Sequence, residues 1–130
     1  MDGSRDMDFW VGTWDAEWVG GRGTNRVTTE CGGRVVVERF EAPGDAFEGT
    51  SISVWDATAG VWRQAWADSQ GGWFDLSGGR CDDGFELVTA DGGKRMRFTD
   101  IASDCFTWTW QAEEGGGWRD LWRIAYVRAR

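Results

Sequence analysis

At 130 residues, with a formal net charge of -8 and a sequence pI near 4.5, the chain has the size of a single domain and repels phosphate backbones and anionic membrane surfaces. Its eleven tryptophans and absent histidine exclude Ser-His and Cys-His nucleophiles, imidazole bases, His-ligated zinc and His-ligated haem, so no such cofactor is expected. What remains is binding by shape and aromatic stacking, or chemistry carried by carboxylates, Arg, Tyr and Cys.

The opening Met1-Asp2-Gly3-Ser4-Arg5-Asp6 lacks the basic and apolar regions of a signal peptide, and no run of apolar residues approaches a membrane span. The expectation is a cytoplasmic protein, monomeric or homodimeric, with neither nucleic acid nor membrane as partner. Cys31, Cys81 and Cys105 are odd in number and scattered, which points to reduced, semi-buried thiols and no metal site.

Along the chain, the first predicted element is a short helical turn around Asp6 to Val11, followed by a strand in which Trp14, Ala16 and Trp18 alternate with Asp15 and Glu17. Gly20-Gly21 and Gly32-Gly33 then bracket a second strand. Val35 to Glu41 is a third, in which either Val36, Glu38 and Phe40 or Val35 and Val37 define the buried face. After Pro43 come Gly49 to Asp56 and Trp62 to Asp68. Further short strands lie between Gly71-Gly72, Gly78-Gly79, Gly92-Gly93 and Gly115-Gly116-Gly117, with Phe106, Trp108 and Trp110 interleaved by threonines. The final strand places Trp118, Asp120, Trp122, Ile124, Tyr126 and Arg128 on one face by strict alternation. About ten strands at this spacing predict an all-β domain over residues 1–130, a single up-and-down antiparallel barrel whose closure removes exposed edges. A barrel of that size holds a small ligand inside.

Asp8-Phe9-Trp10-Val11-Gly12-Thr13-Trp14-Asp15, Gly49 to Asp56, Trp62 to Asp68, Gly117-Trp118 and Tyr126-Val127-Arg128, taken in this order, resemble the lipocalin-like bacterial domains known as DUF1579, calycins distantly related to nitrobindin-type barrels. The resemblance covers nearly the whole chain. It implies a barrel of about ten strands with a central cavity, a superfamily that binds varied hydrophobic small molecules, and an Arg of the last strand stacked on the tryptophan of Gly-x-Trp. By position that Arg is Arg128, with Arg123 second. The haem role of nitrobindin-type relatives does not carry over, because their histidine has no counterpart here; Arg63 stands before Gln64 where relatives often have His.

The residues themselves nominate an interior site. Trp62, Gln64, Trp66 and Asp68 share one face of one strand, and the two indoles mark it as the inner face. Gln64 then either bonds neighbouring strands or orients a ligand atom, and Asp68 either faces in or caps the following turn. Tyr126, the sole tyrosine, is either a core residue tied to backbone or a hydrogen-bond donor and weak acid. Glu38, if inward, would either pair with one of the chain's many arginines or, left unpaired in an apolar barrel, have a raised pKa and exchange protons near neutrality. Glu38, Tyr126 and Asp68 are thus the candidate catalytic groups. Trp55, Trp62, Gln64, Trp66, Met96, Phe98, Trp108, Trp110, Trp122 and Tyr126 are the candidate ligand-binding set, since so many inward indoles would overpack a small barrel unless they stood around a guest.

Three functions compete. A barrel that binds a hydrophobic, aromatic or polyene-like small molecule comes first; a cofactor-independent cyclase or isomerase using the same pocket by preorganisation is the alternative. A carbohydrate-binding module would need exposed indoles in a row, which the inward alternation opposes.

Overall fold

The computed structural model describes residues 2–130. Ten strands form one closed antiparallel barrel in which each strand pairs with the next: β1 (Gly12–Trp18), β2 (Gly21–Glu30), β3 (Val35–Ala42), β4 (Phe47–Asp56), β5 (Val61–Asp68), β6 (Trp73–Cys81), β7 (Gly84–Thr89), β8 (Lys94–Thr99), β9 (Cys105–Glu114) and β10 (Gly117–Arg128), with β10 returning to β1. The expected all-β up-and-down barrel is therefore the fold. The N-terminal turn is a 3-10 turn over Asp8–Trp10, and a second, unforeseen one covers Pro43–Asp45 between β3 and β4. Among the described residues, no helix is long and apolar enough to cross a membrane.

Alternation decides which side chains enter the barrel. In β1, Trp14 and Ala16 are buried while Asp15 and Glu17 face out; in β3, Val36, Glu38, Phe40 and Ala42 are buried while Arg39 and Glu41 face out. Of the two faces open to β3 on sequence, the one carrying Glu38 is the inner one.

The last strand breaks the rule. Asp120 pairs with Gln111, but Trp122 pairs with Trp110, so Leu121 is an extra residue that bulges the strand. Parity reverses there, and Trp118 and Asp120 lie outside rather than beside Trp122. Trp118 takes the Arg95 guanidinium over its ring at 4.2 Å. Arg95 Nε donates to Gln111 Oε1 at 2.6 Å, and Gln111 Nε2 donates to Asp120 Oδ1 at 2.8 Å.

One barrel end is closed by the N-terminal 3-10 turn. Its Phe9 and Trp10 meet Phe98 edge-on, each with centroids 5.5 Å apart, and Phe85 and Phe106 pack on Phe98 at 6.0 and 5.6 Å. Such edge-to-face pairs each add about 0.5–1.5 kcal/mol beyond their burial. Trp14 is wholly buried and donates from Nε1 to the Trp10 carbonyl at 2.8 Å. Arg128 lies over the Trp14 ring at 4.2 Å, as expected by position, and its Nη1 donates to the Val11 carbonyl at 3.0 Å. The approach needs a glycine at position 12: φ is +143°, and a Cβ there would collide with Arg128 Nη1. All three cysteines are free, but Cys31 is exposed rather than semi-buried because it sits in the turn between β2 and β3.

Candidate functional site

Toward the end opposite the N-terminal 3-10 turn the barrel is not filled. A cavity of about 220 Å³ opens there, with Trp10 and Ile124 among its deeper walls and Phe47, Trp66, Asp68 and Phe74 toward the rim. Its broad walls are aromatic. Trp108 and Trp110, two apart on β9, lie nearly parallel at 5°. Trp122 stands perpendicular to Trp108, at 88° and 5.7 Å, and perpendicular to Phe40, at 90° and 5.8 Å. Trp108 Nε1 points at Met96 Sδ, 3.5 Å away. Phe47 stacks beside Trp66 with centroids 6.4 Å apart. The result is a box of flat apolar faces, some parallel and some crossed, the shape that holds a planar guest.

Three ionisable side chains line this box: Glu38, Tyr126 and Asp68. Glu38 is held by strands on either side of its own. Asn25 Nδ2 of β2 donates to its Oε2 at 2.9 Å, and Ser51 Oγ of β4 donates to its Oε1 at 2.7 Å. Burial raises its pKa, and the two donors only partly offset that effect. Tyr126 is also buried, and its phenol is pushed well above its ordinary value by burial first and then by the neighbouring Glu38 charge, with Asn25 acting the other way. Tyr126 is therefore a neutral phenol that can donate a proton in a hydrogen bond. Neither group was visible from sequence as part of a pair; Asn25, which holds Glu38 and lies beside Tyr126, follows from the alternation of β2 but carries no motif.

Asp68 has a different role. Its Oδ1 accepts from the amides of Gln70 and Gly72 at 2.9 and 3.0 Å, closing the turn from β5 to β6, and its Oδ2 accepts from Trp66 Nε1 at 2.9 Å. Burial by itself would raise its pKa, but these donors outweigh it and the carboxyl is held below its ordinary value. Asp68 both faces the cavity and caps the turn, so the two options read from sequence coexist. Its charge fixes the rim indole.

Of the residues nominated from sequence, Trp66, Met96, Trp108, Trp110, Trp122 and Tyr126 meet in the cavity wall. Four do not. Trp55 and Trp62 point inward but at the closed end, 6.2 Å apart, where Trp62 Nε1 donates to the Gly3 carbonyl at 2.8 Å. Phe98, completely buried, is the centre of the closed-end aromatic cluster. Gln64 is interior but not in the wall: its Nε2 donates to Ser53 Oγ at 2.9 Å, while its Oε1 has no donor. The physical reason is common to all four. A period of two fixes which face a side chain takes, not its height along the barrel axis. Sequence reading missed Trp10, Phe40, Phe47, Phe74, Leu76 and Ile124 in the wall. Phe40 was within reach, because it shares a face with Glu38.

The two tryptophans without a sequence assignment separate as well. Trp18 packs edge-on to Trp122 at 5.1 Å, behind the cavity wall, and Trp73 is exposed. Among the described residues, no three His, Cys, Asp or Glu side chains gather as metal donors. No protein-family model and no curated protein sequence matches the chain.

Proposed function

We propose that this barrel binds a compact, flat, largely apolar small molecule, with an aromatic core, between Trp66, Trp108, Trp110 and Trp122. The observation that carries the reading is an aromatic cavity of about 220 Å³ in a barrel that packs its other end tightly. An apolar cavity of roughly 150 Å³ suffices for benzene, so the space suits a one- or two-ring guest better than an extended polyene. The polar wall groups Glu38 and Tyr126 give such a guest a fixed orientation. The barrel's closed up-and-down topology supports placing the chain with the calycins that its sequence resembles, and we propose that membership with the binding function.

A second reading has its own support. Glu38 and Tyr126 are two ionisable groups lining one aromatic pocket, the arrangement a cofactor-free isomerase or cyclase needs to move a proton while the walls hold a folded substrate.

Native mass spectrometry of protein freshly purified from its own host tests the binding reading. The expected result is a mass increment of a small organic molecule, retained in wild type and lost in Trp110→Ala. Protein that carries no increment, and whose tryptophan emission no aromatic probe alters, contradicts it.

A further inference from the structure

The cavity's ionisable wall groups are all acidic, and the deepest of its carboxyls has no counter-charge. Glu38 is buried, yet among the described residues no Lys or Arg pairs with it, and none lines the cavity. Its two hydrogen-bond donors, Asn25 and Ser51, are neutral. Asn25 Oδ1, beside it, is buried with no donor at all. This corner of the barrel is rich in acceptors and short of positive charge. Lys94, beside the rim residue Phe74, turns its Nζ toward that ring, 5.4 Å from the centroid.

We infer that the ligand is a lipophilic amine that enters as its ammonium ion, with the cationic head on Glu38 and the apolar body between the indoles. This rests on the binding reading above and names the ligand's chemical class. A cation gains twice in this site. Its N–H groups reach a carboxylate in a charge-assisted hydrogen bond, and the faces of Phe40, Trp108 and Trp122 attract positive charge through their ring quadrupoles. Asp68 at the rim and the net charge of -8 favour the approach of a cation and oppose that of an anion. A carboxylate-bearing guest of the same size would meet Glu38 with like charge and find no basic side chain in the wall.

Three probes of one shape separate the alternatives: 2-naphthylmethylammonium, 2-naphthylmethanol and 2-naphthoate, titrated by calorimetry at about 0.15 M salt, where weak surface attraction is screened. The expected order is ammonium, then alcohol, then carboxylate, with the ammonium at least about tenfold tighter than the alcohol, the size of one charge-assisted contact. Glu38→Gln should bring the ammonium down to about the affinity of the alcohol. Equal binding of ammonium and alcohol by the wild type, tightest binding of the carboxylate, or a preference that survives Glu38→Gln overturns the amine assignment while the binding reading stands. Absence of binding by all three overturns both. The wild-type series needs no variant, so a poorly folding Glu38→Gln would still leave a decisive result.

Discussion

The Trp66 indole lies across Gly49 on the neighbouring strand, in space that any β-carbon at position 49 would occupy. The glycine lets the ring lie against the barrel wall, and the bond from Trp66 Nε1 to Asp68 fixes it there at 2.9 Å. Gly49→Ala must tilt the indole into the cavity or push the strands apart. We expect a loss of about 1–3 kcal/mol in folding stability, as for other overpacked sites, together with weaker binding of 2-naphthylmethanol. Chemical denaturation and calorimetry on the same variant check both; unchanged affinity would show that Trp66 does not shape the site.

Asp68 should make the rim sensitive to acid. Its folded pKa is depressed, so its contribution to stability is present above the ordinary value of 3.8 and is lost as pH falls through the lower folded value. Asp68→Ala, which leaves the Trp66 indole and two turn amides without their acceptor, should cost roughly 1–3 kcal/mol at neutral pH. Denaturation midpoints measured down the pH scale should converge for the two proteins in acid. A constant gap would assign the loss to packing.

Glu38 predicts the opposite slope. Its folded pKa is raised above the ordinary 4.5, so the stability linked to its proton is complete below that value and lost as pH rises through the folded value. Glu38→Gln keeps the bond from Asn25, and its amide can donate to Ser51 Oγ with the hydroxyl turned round. The variant should therefore gain on the wild type in melting temperature as pH rises from 4.5 toward neutrality. Tyr126, pushed well above 10.0, holds its proton throughout that range. A difference that shrinks with rising pH would contradict the burial of an uncompensated carboxyl.

Trp14 and Trp110 should part company. Trp14 has no contact with the cavity and carries the Arg128 stack and the Trp10 bond, so Trp14→Ala should lower stability by about 3–5 kcal/mol. Trp110 is partly buried and lines the cavity. Trp110→Ala should cost less stability and most of the affinity for an aromatic probe. Equal effects in both assays would dissolve the distinction between closed end and open site.

How far the sequence reveals this arrangement depends on which coordinate is asked for. Strand count, closure and the inward set of β5 follow from alternation and glycine spacing, and the partnership of Trp14 with Arg128 follows from family resemblance. Height along the barrel leaves no periodic trace, which is why Trp55, Trp62 and Phe98 read as cavity wall although they sit at the closed end. The Leu121 bulge is equally silent: Trp118 and Asp120 keep perfect alternation with Trp122 in sequence, yet one inserted residue turns them outward. Glu38 was legible only as one of two faces, and its donors lie on separate strands at sequence distances of 13 residues each.

The eleven indole N–H groups report directly on whether a ligand sits inside the barrel. In a ¹H–¹⁵N spectrum titrated with neutral 2-naphthylmethanol, the resonances of Trp66, Trp108, Trp110 and Trp122 should shift together along one binding curve. Those of Trp14 and Trp62 at the closed end, and of Trp73 and Trp118 outside, should stay in place. Shifts confined to Trp73 and Trp118, or uniform small shifts across all indoles, would contradict an interior binding site.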